Sequence, residues 1–125
     1  MSTKTETAHD GEFVVSEANG YLSRDQVTVH VAAGEKWSPG LILMITANKY
    51  VARTDASTVA KGILFNECDN SASLAAVDFQ ATVINADAEV LGPSCDANGG
   101  TEATVLSELL ALGIKVRGDL ANVAT

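Results

Sequence analysis

Four side chains in this sequence carry groups able to attack or to move a proton: Cys68, Cys95, His9 and His30. A thiolate paired with an imidazole base is the minimal nucleophilic pair, and Cys68 with His30 is the conceivable one. Nothing in the spacing joins them. The cysteines lie in different segments without a Cys-x-x-Cys, and there is no His-Glu-x-x-His, Gly-x-Ser-x-Gly or phosphate-cradling glycine loop. A zinc site would have to draw Cys68, Cys95 and both histidines from four unrelated segments. The loop Asp96-Ala97-Asn98-Gly99-Gly100 begins like a calcium loop, but Ser107 stands where the bidentate glutamate should close it. Arg24-Asp25 reads as an exposed turn pair. Trp37 beside Pro39 reads as an aromatic at the edge of a β core, with the floor of a ligand pocket as the other reading. The expectation is a protein with no catalytic residues, no metal and no cofactor, with its thiols reduced. Whether Cys68 and Cys95 could form a disulfide depends on their Cα separation in the fold.

The elements that would position these groups are mostly strands. Pro39-Gly40 suits a type II turn, with proline presetting φ and glycine accepting φ > 0. Leu41 to Ile45 follows, too short and uniformly apolar for an amphipathic helix, so it predicts a strand covered on both faces. Asn48-Lys49 turns the chain into a half-exposed strand at Tyr50 to Arg53, and a polar loop from Thr54 to Thr58 leads to Gly62-Ile63-Leu64-Phe65. Upstream, Glu12 to Ser16 has strand character, Glu17 to Gly20 reads as a turn, and Val27, Val29 and Val31 alternate on one face with His30 opposite. Downstream of a polar linker, Asn70 to Ser73, the residues Val77, Phe79, Ala81 and Val83 again share a face. Asn85-Ala86-Asp87 turns into Val90-Leu91, and residues 92–100 read as a loop.

One helix is predicted, with Thr101 as N-cap and Gly113 as the stop. Val105, Leu109 and Leu112 form its stripe, widened by Leu106 and Leu110. Ile114 to Arg117 reads as a last strand.

Length and charge bound the rest. The 125 residues support one domain, with 46% hydrophobic and 19% charged residues and no apolar run long enough to span a membrane. The N-terminal MSTKTETAHDGE has no signal-peptide core, so a soluble intracellular product is expected. A net charge of -8 with singly scattered basic residues disfavours nucleic acid as a partner. Residues 1–11 have almost nothing apolar and are expected to form a flexible arm, with a single β-rich domain over 12–117 and a loose tail over 118–125.

Five segments in this order resemble the head decoration proteins of tailed phages, the family of the lambda-like decoration protein D. They are GEFVVSEANGYLSRDQVTV at 11–29, Pro39-Gly40 with LILMIT, KYVA at 49–52, AKGILFNECD at 60–69 and LLALGIKVR at 109–117. The resemblance implies a mainly β fold of β-clip or β-tulip-like bent ribbons with one α-helix near the C-terminus, assembled as a homotrimer. It implies a virion protein, made in the host cytoplasm, that binds the major capsid protein on the exterior of the expanded head at threefold and quasi-threefold sites. There it would hold the shell against the pressure of packaged DNA. In that family the arm orders on the capsid and adds a strand to it. The corresponding capsid-binding residues here would be Thr5, Glu6, Thr7, Ala8 and Glu12, with Phe13, Val14 and Val15 as anchors at the arm's root. The arm here is Thr/Glu-rich rather than proline-rich, and the tail after Arg117 has no counterpart in the resemblance. Two other readings remain open at this point: a soluble β-rich trimeric module binding a small ligand near Trp37, and a small hydrolase using Cys68 or Cys95.

Overall fold

Alternation at Val27, Val29 and Val31 builds the strand on which a small barrel closes. In the computed structural model the described residues are 13–17, 24–53, 59–98, 101–121 and 123. The strands are β1 (Val14–Glu17), β2 (Arg24–Val31), β3 (Lys36–Trp37), β4 (Ile42–Thr46), β5 (Lys49–Ala52), β6 (Gly62–Leu64), β7 (Cys68–Asp69), β8 (Val77–Ile84), β9 (Ala88–Leu91) and β10 (Ile114–Arg117). Among the described residues one α-helix, α1 (Glu102–Ala111), precedes β10. The expected mainly β chain with one helix near its C-terminus is what the structure contains. The expected turn at Glu17 to Gly20 falls at Ala18 outside the described residues, as do the arm and the loop at 54–58.

Strands β2-β5-β4-β6-β8 form a closed barrel. β2 runs antiparallel to β8 along its whole length, from Arg24 opposite Ile84 to Val31 opposite Val77. Val29 and Val31 are fully buried and His30 lies on the other face, as the alternation requires. By contrast, β2 meets β5 at one register pair, Val29 with Tyr50. That seam is the thinnest part of the wall. A second sheet, β1-β9-β10, and the helix close the far end, while β3 and β7 make a two-stranded ribbon.

Turn chemistry sets the register. Gly40 takes φ 99°, and the Leu41 amide donates to the Ser38 carbonyl at 3.3 Å, so Pro39-Gly40 is the type II turn expected. A Cβ at Gly40 would stand 2.1 Å from the Ser94 carbonyl oxygen, so only glycine fits. The β4–β5 hairpin turns at Ala47-Asn48, one residue earlier than the sequence predicts, with both residues at positive φ (51° and 67°). That is a two-residue turn of the type whose twist matches antiparallel strands. β4 is covered on both faces only from Ile42 to Met44; Ile45 is 39% exposed.

Two cores result. One lies inside the barrel around Val29, Leu43, Leu64 and Val83. The other lies between barrel end, sheet and helix, around Phe13, Ile63, Ile84, Leu109 and Ile114. Val105 and Leu109 are the helix residues fully buried there, whereas Leu110 is 67% exposed and does not widen the stripe. The tail expected to be loose is docked in its described part. Leu120 is buried, and Ala121 exchanges hydrogen bonds with Cys95 and Ala97 at 3.0 Å each.

Candidate functional site

The sequence places the capsid-binding residues at the arm and its root, and the structure divides them. Thr5, Glu6, Thr7, Ala8 and Glu12 lie outside the described residues. Phe13 is 1% exposed, edge-on to Phe65 with ring centroids 6.5 Å apart. Its ring therefore belongs to the core, and its carbonyl accepts the Leu91 amide at 2.7 Å. Val14 packs against the same core and Val15 is 50% exposed. β1 is an outer strand of its sheet, paired with β9 on one side. Phe13 thus anchors the edge strand β1, with Val15 facing out.

At the other end of β8 the thin seam between β2 and β5 opens into a groove. Three adjoining cavities of ≈ 310, ≈ 280 and ≈ 320 Å³ follow it, the first two sharing Trp37 and the last two sharing His30 and Val51. Trp37 is 5% exposed and donates its indole N–H to Glu35 Oε2 at 2.9 Å, so it is both core edge and groove wall. His30 Nδ1 lies 2.6 Å from Asp78 Oδ1, and Lys49 Nζ lies 2.7 Å from Asp78 Oδ2. The Lys49 hydrogen bond, then that of His30, holds the Asp78 carboxyl below the usual aspartate value. An ionised carboxylate only accepts, so His30 Nδ1 carries the shared proton. The ring is tied to a surface carboxylate rather than to a thiol.

Neither thiol is placed for chemistry. Cys68 and Cys95 are buried and form no disulfide, and burial alone pushes the Cys95 thiol up to about 12. A thiol so raised stays protonated and unreactive at neutral pH. Among the described residues no group of three or more His, Cys, Asp or Glu could hold a metal ion, and no helix is long and apolar enough to cross a membrane.

The polar residues that organise the fold were not singled out by the sequence reading. Arg53 is 2% exposed and pairs through two nitrogens with both carboxylate oxygens of Glu108 on α1. Asn70, read as linker, is 5% exposed, and its amide nitrogen donates to the carbonyls of Val31, Ala32 and Ala75 at 3.0–3.1 Å. The available signal was slight: an arginine directly after a strand and a glutamate on a mostly apolar helix.

A family model described as Bacteriophage lambda head decoration protein D matches residues 3–114. No curated protein and no solved structure matches the chain.

Proposed function

The chain belongs to the bacteriophage lambda head decoration protein D family, and from that premise we propose that it decorates the expanded head as a trimer seated at threefold sites. Decoration of a phage head is the family's role, and the virion capsid is where it acts. The trimer, its sites and its stabilising action are our reading. So is its synthesis and folding in the host cytoplasm. The single observation that carries the reading is the family match over residues 3–114.

Clamping a shell needs complementary surface and multiplicity rather than a reacting group, and a decoration family is a structural one. An outward-facing protein gains nothing from attracting DNA, which accords with a net charge of -8. In our reading each arm, leaving from the edge strand β1, orders on a neighbouring capsid subunit through strand-addition hydrogen bonds. Thr5 to Ala8 and Glu12 would lie along that strand, with Val14 and Val15 at its root. Three arms on one trimer multiply weak contacts through effective concentration. Equilibrium binding of the purified protein to expanded and to unexpanded shells tests the function. Saturable binding to expanded shells at one trimer per threefold site is expected, and no binding to either shell would refute it.

A further inference from the structure

The segment that follows β10 closes over the end of β9. Arg117 sits opposite Leu91 in the parallel β9–β10 register, and towards β1 the Leu91 amide donates to the Phe13 carbonyl at 2.7 Å. The chain then turns at Gly118, with φ 82°, and lays Gly118 and Asp119 against the 3-10 turn Gly92–Ser94. The approach is close. A Cβ at Gly92 would stand 2.5 Å from the Gly118 carbonyl oxygen and 2.8 Å from that of Asp119, so only glycine admits the crossing. Leu120 is buried in the same core as Phe13. Beyond it, the Ala121 amide donates to the Cys95 carbonyl and the Ala97 amide to the Ala121 carbonyl. On its other flank this stretch is bound to the entry of β4: Asp96 N–H donates to the Gly40 carbonyl at 2.9 Å, and Ile42 N–H to the Asp96 carbonyl at 3.0 Å. Residues 92–97 are thus held from two sides, and residues 118–121 form one of them.

We propose that residues 118–121 are a strap that locks the end of β9 and, through it, the strand β1 that roots the shell-binding arm. The inference deepens the arm reading above and rests on it. β1 needs such a lock. It spans four residues, pairs with β9 on one side only, and its register shifts between Val14 and Ser16. A short edge strand interrupted by a bulge is the kind of element that opens locally before the whole fold does. The hydrogen bond that holds Phe13 comes from Leu91, directly before Gly92, so movement of the 92–94 turn is transmitted to the root of the arm. An arm under load pulls on that bond. The strap lies beyond residues 3–114, the stretch that matches the family model, so family membership does not account for it.

Native-state hydrogen exchange on the full chain, Leu120→Ala and Ala121→Pro tests it. The second variant keeps the apolar anchor and removes only the donor to Cys95. In both variants the Leu91 amide and those of β1 should exchange about tenfold faster or more, because the strap no longer opposes local opening. The amides of Val29 and Val83 in the barrel core should keep their protection. Affinity for expanded shells should fall about tenfold or more in the same variants. Unchanged exchange at Leu91 and β1 overturns the inference. Equal acceleration in the barrel also overturns it, by reducing Leu120 to ordinary core packing, and so does full shell affinity with β1 released. If Leu120→Ala does not fold, exchange in Ala121→Pro decides alone. A full chain that binds no shell refutes the proposed function instead, and the exchange comparison, made without shells, still decides whether the strap locks β1.

Discussion

Arg53 and Glu108, fifty-five positions apart, form a two-pronged ion pair, with Arg53 Nε 2.8 Å from Oε1 and its second nitrogen 3.2 Å from Oε2. Glu108 Oε1 also accepts the Ala60 amide at 2.9 Å. One helix carboxylate therefore holds the chain on both sides of residues 54–58 and fixes α1 to the end of β5. Breaking such a pair leaves Arg53 buried without its counter-charge, which costs about 3–5 kcal/mol when the pair is fully buried. Glu108 keeps some solvent access, so Glu108→Gln should cost about 2–3 kcal/mol. Urea titration checks this through the midpoint, and a shift worth less than about 1 kcal/mol would reduce the pair to a surface contact.

The same carboxylate predicts acid sensitivity. Burial raises its pKa, but the Arg53 hydrogen bonds, the Ala60 amide and the Arg53 charge outweigh that and leave it below the ordinary 4.5. A carboxyl lowered on folding contributes stability above its unfolded value, and that stability is lost as pH falls through the folded one. Asp69, held down by Ser71, Asp78, held down by Lys49 and His30, and Glu89, held down by Arg117, shift the same way. These groups should leave the thermal midpoint flat from pH 7 to about 5 and lower it below about 4. Glu108→Gln should show a shallower acid slope; an identical slope would show that Glu108 does not couple to folding.

Thiol reagents should see nothing in the native protein. Ellman's reagent is expected to label neither cysteine within an hour at pH 8 and both at once in 8 M urea. Rapid native labelling of either would contradict the buried placement. Replacing both cysteines with serine should leave shell binding intact while costing about 1–3 kcal/mol of stability through buried hydroxyls.

Asn70 should be needed for loop order rather than for folding as such. Asn70→Ala leaves the Val31, Ala32 and Ala75 carbonyls without their side-chain donor, costing about 1–3 kcal/mol. Hydrogen exchange should rise at residues 71–76 while protection in β4 persists. Unchanged exchange in the loop would mean that Ser73 alone braces it.

Cutting the arm and cutting its anchor should have opposite effects. Deleting residues 1–11 removes little apolar surface and should leave the unfolding midpoint within about 0.5 kcal/mol of the full chain's. Phe13→Ala should instead cost about 3–5 kcal/mol, because the ring is fully buried. If each arm contributes ~1–2 kcal/mol to the shell contact, losing three weakens decoration by at least about a hundredfold. Calorimetric titration of expanded shells giving equal affinities for full and truncated protein would make the arm a passenger.

Local pattern by itself determined the strand faces, the type II turn and the helix. The valines of β2, the Pro39-Gly40 turn and the Val105–Leu109 stripe are legible because strand, turn and helix geometry are set by neighbours within a few residues. The order of five short segments also carried the family. Long-range placement was decided by the tertiary structure. Whether Phe13 serves the core or a partner depends on Phe65 and Leu91, and whether Leu110 is covered depends on what lies opposite the helix. Leu120 is buried because the tail returns to pair with Cys95 and Ala97. Arg53 and Asn70 read as surface residues in sequence, since burying a charge or an amide is unfavourable until a distant partner satisfies it. Those partners, Glu108 and the carbonyls of Val31 and Ala32, lie 38 to 55 positions away, and only closing the fold brings them within hydrogen-bonding distance.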